Sequence, residues 1–105
     1  MATSLTLGTR RGADGQLVLT AAGEIDLSNI DVFNQALTTA TEEADPARLT
    51  VDLTAVEYLD SAAINALYNL ADQIHVIANP VLMRTLSVSG LAELVTIEPP
   101  PTETQ

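Results

Sequence analysis

Leu49-Thr50-Val51-Asp52-Leu53-Thr54 runs into Ala55-Val56-Glu57-Tyr58-Leu59-Asp60 and then Ser61-Ala62-Ala63-Ile64. The first six residues alternate apolar and polar as a strand does, and the last four open an apolar pattern with helical spacing. Residues 49–54 are therefore expected as a strand, Ala55 to Asp60 as a loop, and Ser61 to about Asp72 as a helix with Ile64, Leu67, Leu70 and Ala71 on one side. A strand, a short connection and a helix form half of a parallel crossover unit, which points to the α/β class.

Working outward, Ile74 to Ala78 is almost purely apolar and β-branched, as expected of a central strand buried on both faces. Asn79-Pro80 starts a third helix, since proline is tolerated in a first turn. Leu82, Leu86 and Leu91 suit its buried side, Gly90 suits its end, and Leu94 to Ile97 reads as a last short strand. Upstream, residues 4–9 and Leu17 to Ala22 read as two strands joined through the Asp14-Gly15 turn signal, so they should pair antiparallel. Ser28 with Asp31 has the form of a capping box ahead of Ile30, Phe33, Leu37, Ala40 and Ala44. A helix over 29–44 follows, ended by Asp45-Pro46 because proline cannot continue the ladder. The order ββαβαβαβ predicts one mixed sheet with an N-terminal antiparallel hairpin and parallel strands thereafter. Residues 1–98 form one domain. Residues 99–105, led by three prolines, are expected as a disordered tail too polar to pack.

Composition narrows the function. The 105 residues suit one domain. Four basic residues stand against fourteen acidic ones, for a net charge of -10, and no lysine is present. Such a surface repels phosphate backbones and anionic headgroups, so no direct nucleic-acid contact and no membrane insertion is expected. A basic protein partner is favoured, with acidity otherwise serving solubility. Phe33, Tyr58 and Tyr68 are the whole aromatic set, too few for base stacking. The two tyrosines are taken as packing residues. Cysteine is absent, which excludes disulfides and thiol chemistry. No signal peptide is legible and no apolar run approaches a bilayer span, so a cytoplasmic protein is expected.

Enzymatic chemistry finds no footing. No phosphate-cradling Gly-rich loop is present, and Ser61 lacks both a nucleophile elbow and an aimed base. His75 is the single histidine, in a strand without a second ligand nearby, so no metal and no cofactor is expected. Ser61 itself admits two readings. It can cap the helix, with Asp60 favouring the same positive end. It can also be a phosphoacceptor, because a helix N-terminus accommodates phosphate and the added charge would strengthen an acidic patch made by Asp60 and, if the post-strand loops share one end of the sheet, Asp26.

The stretch Val51–Ile64 resembles the signature of the STAS domain family, in which an Asp-Leu strand end leads to Asp-Ser/Thr-small-small-aliphatic. Gly23-Glu24-Ile25-Asp26 is similar to that family's Gly-Glu-Leu/Ile-Asp motif. Arg84 to Leu91 resembles its third helix, which closes in a Ser-Gly-Leu turn. The resemblance covers about residues 4–98 and implies a bacterial anti-sigma factor antagonist, not an enzyme. It implies that Ser61 is phosphorylated by an anti-sigma factor of the serine kinase type, that the unphosphorylated form sequesters this partner, and that a phosphatase resets the cycle. Asp26, Asp60, Ala62, Ala63 and Ile64 then form the phosphosite environment and partner surface. Two features depart from the pattern: alanines stand at 62 and 63, where Ser/Thr and Gly are common, and the segment from Ser61 to Ile74 is about six residues shorter, more than one helical turn. The shorter segment leaves open an alternative, a cytoplasmic accessory subunit of a membrane lipid transporter, which some STAS-like proteins resemble.

Overall fold

A computed structural model describes residues 4–100. Five strands form one sheet in the order β1-β2-β3-β4-β5: β1 (Leu5–Arg11), β2 (Leu17–Ile25), β3 (Leu49–Leu59), β4 (Ile74–Ala78) and β5 (Ile97–Glu98). β1 pairs antiparallel with β2, and the remaining pairs are parallel. The hairpin closes where Gly12 N–H donates to Gln16 O (2.7 Å), with Gly15 in the left-handed region at φ +86°. The crossovers carry α1 (Ile30–Ala44), α2 (Ser61–Asn69) and α3 (Pro80–Val88). The mixed α/β sheet expected from the sequence is the fold observed.

The core sits on one face of the sheet. Leu19, Val51 and Val76 are mutual neighbours across β2, β3 and β4. They join Phe33 and Leu37 of α1, Ala63 and Leu67 of α2, and Leu82 and Leu86 of α3 in one buried cluster. The opposite face carries no helix. There Arg10 pairs with Asp52 at 3.9 Å, the Gln16 amide donates to the Thr50 hydroxyl, and His75 Nε2 meets Glu98 Oε1 at 3.3 Å. β4 is thus buried on one face rather than both: His75 and Ile77 are half-buried, because all three helices cover the other side.

Several boundaries differ from the sequence reading. The expected loop from Ala55 to Asp60 is strand as far as Leu59. Its register with β2 shifts twice, between Thr20 and Ala22 and between Gly23 and Glu24. Each bulge adds a residue to β3, so burial falls at Leu53, Val56 and Leu59 and the period of two is lost. The second helix stops at Asn69, and a separate 3-10 turn spans Ala71–Gln73. The last strand is only Ile97–Glu98: Leu91–Glu93 form another 3-10 turn after Gly90 at φ +84°, and Leu94 is exposed. Tyr58 and Tyr68 are 50% and 41% exposed, so neither is the packing residue expected. Of the tail, 101–105 lie outside the described residues; Pro99 and Pro100 carry no helix or strand.

Candidate functional site

The carboxyl ends of β2 and β3 bring the candidate residues together. Ile25 and Leu59 are register partners, and Asp60 N–H donates to Ile25 O at 3.1 Å. Asp26 and Asp60 therefore leave adjacent parallel strands at the same level, as the sequence reading required. Ligands of open α/β sheets gather at this end.

Asp60 is the N-cap of α2. Its Oδ1 accepts from Ala62 N–H (2.9 Å) and Ala63 N–H (3.2 Å), which satisfies two of the helix's unpaired donors. Ser61, expected as a possible cap, is instead the first helical residue and is exposed. The aspartate takes the capping role because it occupies the extended position (φ −96°, ψ −176°) from which a short side chain reaches N2 and N3. The Ser61 hydroxyl is thereby presented to solvent beside a carboxylate. Ala62 and Ile64 are half-buried and Ala63 is fully buried in the core. Ala63 thus serves packing, because a larger side chain there would meet the sheet, and it offers no surface to a partner.

The loop after β2 is fixed by polar contacts. Asp26 Oδ1 accepts from Ser28 N–H (2.9 Å) and Ser28 Oγ–H (2.6 Å). Asn29 Oδ1 accepts from Asp26 N–H (3.0 Å), and Asn29 Nδ2 donates to Glu24 O (2.9 Å). Ser28 therefore does not form the capping box read with Asp31; the N-cap of α1 is Asn29, which makes no side-chain cap bond. The Ser28 hydroxyl turns back to the Asp26 carboxylate. Asn29 was missed in the sequence, although Asx residues following a strand commonly organise turns. Leu27, 77% exposed between Asp26 and Ser28, was missed too. An apolar residue inside a polar loop was its signal.

Gly23 explains the glycine of the Gly-Glu-Ile-Asp stretch. Its φ is +108°, and a Cβ there would lie 2.3 Å from Ser4 O, where β1 crosses it. Glu24, Asp26, Glu57 and Asp60 make the carboxyl end of β2 and β3 acidic. At the far end the arginines of β1 are matched by carboxylates, Arg10 by Asp52 at 3.9 Å and Arg11 by Glu43 at 3.8 Å. No group of three or more potential metal ligands exists among the described residues, and no helix among them is long and apolar enough to cross a membrane.

The family model described as Mlab, STAS domain matches residues 9–96. The crystal structure of an anti-sigma factor antagonist from Mycobacterium paratuberculosis is similar with a TM-score of 0.81 and 28% identity, covering 94% of this chain and 87% of that one. Two more distant structures share the fold. The anti-sigma factor antagonist SpoIIAA in its unphosphorylated form gives a TM-score of 0.63 at 16% identity, over 97% of this chain and 90% of the other. An antisigma-factor antagonist STAS domain from Rhodobacter sphaeroides gives 0.54 at 16%, over 70% and 84%. No curated protein matches the sequence.

Proposed function

This chain belongs to the STAS domain family, and from that membership we propose that it is an anti-sigma factor antagonist switched by phosphorylation of Ser61. In this reading the unphosphorylated protein binds an anti-sigma factor of the serine kinase type and so frees a sigma factor. The kinase transfers the γ-phosphoryl of ATP to Ser61 Oγ; the hydroxyl proton leaves and ADP is released. A phosphatase later hydrolyses the ester, and the cycle runs in the cytoplasm.

The observation that carries the reading is Ser61: an exposed hydroxyl one residue past Asp60, at the N-terminus of α2. It is supported by likeness to the Mycobacterium paratuberculosis antagonist along 94% of the chain. In this reading Asp26 and Asp60 make an acidic rim around Ser61 that a basic partner can approach, with Ala62 and Ile64 half-buried beside it. A phosphate adds about −1.5 to −2 charges to that rim. The change acts on partner affinity, since about 3 kcal/mol corresponds to more than a hundredfold in Kd.

The nine-residue length of α2 leaves open one other reading, the accessory subunit of a membrane lipid transporter. Affinity capture with wild type, Ser61→Ala and Ser61→Glu separates the two. A small ATPase-fold kinase retained by wild type and Ser61→Ala, and released from Ser61→Glu, supports the antagonist. An ABC-type complex held equally by all three replaces it with the transporter subunit.

A further inference from the structure

We propose that a cleft at the amino end of the parallel strands binds a free aliphatic α-amino acid as its zwitterion. The cleft has a volume of about 470 Å³, within the range of small-molecule sites. Segments far apart in the sequence build it: Arg48 just ahead of β3, Ala71 in the 3-10 turn after α2, Met83 of α3, and the stretch from Glu93 to Ile97 that leads into β5. It lies where β3 begins, whereas Ser61 follows the end of that strand. The site therefore stands apart from the proposed phosphosite.

Two opposite charges line the cleft without meeting. Arg48 and Glu93 both border it, yet the ion pairs among the described residues join Arg10 to Asp52, Arg11 to Glu43 and His75 to Glu98. Arg48 and Glu93 are exposed, and an exposed pair gains little by closing, because solvent screens it and ordering two long side chains costs entropy. A molecule that carries a carboxylate and an ammonium on one carbon can satisfy both. Its carboxylate accepts from the Arg48 guanidinium and its ammonium donates to the Glu93 carboxylate, charge-assisted bonds stronger than neutral ones. The Ser87 and Thr96 hydroxyls also border the cleft and can bond to either group.

The remaining wall selects the side chain. Met83, Leu94, Val95 and Ile97 make it apolar, and Leu94 is 51% exposed, a surface that a ligand would take out of water. None of the described residues that border the cleft is aromatic, so an aliphatic side chain suits it better than a ring. Charge argues against simpler ligands. The chain carries a net charge of -10, which repels a fatty acid or another plain anion, and a plain amine would leave Arg48 unmatched. An amino acid is neutral overall and matches both charges. A peptide carries its two end charges on different residues and cannot set them beside one side chain.

Isothermal titration calorimetry of the full chain with L-leucine and L-valine tests this. Glycine, isocaproate and isoamylamine serve as probes that lack the side chain, the ammonium or the carboxylate. L-leucine or L-valine should bind saturably, about tenfold or more tightly than each of the three. Arg48→Gln and Glu93→Gln alter exposed positions and should keep the circular dichroism spectrum and Tm of wild type, yet each should weaken amino-acid binding about tenfold. Ser61→Ala should bind as wild type does. Amide chemical shifts should move at Arg48, Met83 and residues 93–97. The proposal is overturned if neither amino acid binds, if isocaproate or isoamylamine binds as tightly, or if either glutamine variant leaves the affinity unchanged.

Discussion

The amide of Asp60 donates to the carbonyl of Ile25 across 3.1 Å, and this bond ties the end of β3 to the end of β2 one residue before Asp26. Sheet register thus sets the backbone of Asp26 and Asp60 at one level, and the loop contacts of Ser28 and Asn29 then fix the Asp26 carboxylate. The bond also holds Asp60 extended, so its carboxylate can cap α2.

Capping falls on Asp60 and not on Ser61, the proposed phosphoacceptor, and thermal denaturation can resolve the two. Asp60→Ala should lose about 1 kcal/mol, or about 4–8 °C in Tm for a domain of this size. Ser61→Ala should remain within about 0.5 kcal/mol of wild type, since its hydroxyl caps nothing. A large loss at Ser61 and none at Asp60 would reverse the assignment.

Among the glycines, Gly23 is the one with least room for a side chain. Alanine there must hold φ near +108° with its Cβ 2.3 Å from Ser4 O, so β1 has to shift or detach at its amino end. Gly23→Ala should cost about 3 kcal/mol, measured by urea denaturation. The Glu24 amide, bonded to Ser4 O at 3.0 Å, should lose its protection from exchange before the rest of the sheet.

How much of this was legible depended on whether a residue's role obeyed a period. The alternation in Leu49–Thr54 and the helical spacing of Phe33 and Leu37 exposed the strands, the helices and the mixed sheet. The far half of β3 did not show, because two bulges replace alternation with burial at Leu53, Val56 and Leu59. At the proposed site, Asp26, Asp60 and Ser61 were named from local pattern and resemblance, and the structure sets Asp26 and Asp60 at the ends of adjacent strands. Which of Asp60 and Ser61 caps α2 depends on the bond to Ile25, a contact between distant residues. The bonds of Asn79 to Thr54 O and Val56 O were hidden for the same reason, although its place at the start of α3 was not; those of Asn29 to Asp26 and Glu24 are local, and an Asx residue after a strand was their signal.

Asn79 stabilises the step where β3 outruns β4. β4 pairs with β3 only as far as Leu53 opposite Ala78, and Asn79 Nδ2 then donates to Thr54 O (3.0 Å) and Val56 O (2.8 Å). Its Oδ1 accepts from Leu82 N–H at 3.0 Å as the N-cap of α3. Asn79→Ala should cost about 2 kcal/mol, a lost cap plus two carbonyls without their donor. Asn79→Asp keeps the acceptor but sets an oxygen against two carbonyl oxygens, so it should be at least as destabilising. Chemical denaturation of both variants checks this; full rescue by aspartate would show that only the cap matters.

Phosphorylation of Ser61 should alter charge without altering fold, for a reason specific to this helix terminus. A helix N-terminus ordinarily welcomes a phosphate through its free amides. Here Asp60 Oδ1 already holds the amides of Ala62 and Ala63, so a phosphate on Ser61 would have to displace a carboxylate that is itself a good cap. The adjacent like charges disfavour that exchange, and the phosphate stays on the solvent side. Two consequences follow. The phosphorylated protein should keep the backbone chemical shifts of β2, β3 and the core of α2, with stability within about 1 kcal/mol of the unmodified form. The second ionisation of the phosphate should move above its ordinary value near 6, because the Asp60 carboxylate opposes the second negative charge. The added charge, and with it the loss of partner affinity, should then grow as pH rises through that raised value and diminish below it. Phosphorus NMR titration of the phosphorylated chain reads the shift directly. Asp60→Asn, which removes the charge but keeps a capping oxygen, should bring it back toward the ordinary value. A phosphate that titrates below 6 in the wild type would mean that it has taken the α2 amides from Asp60.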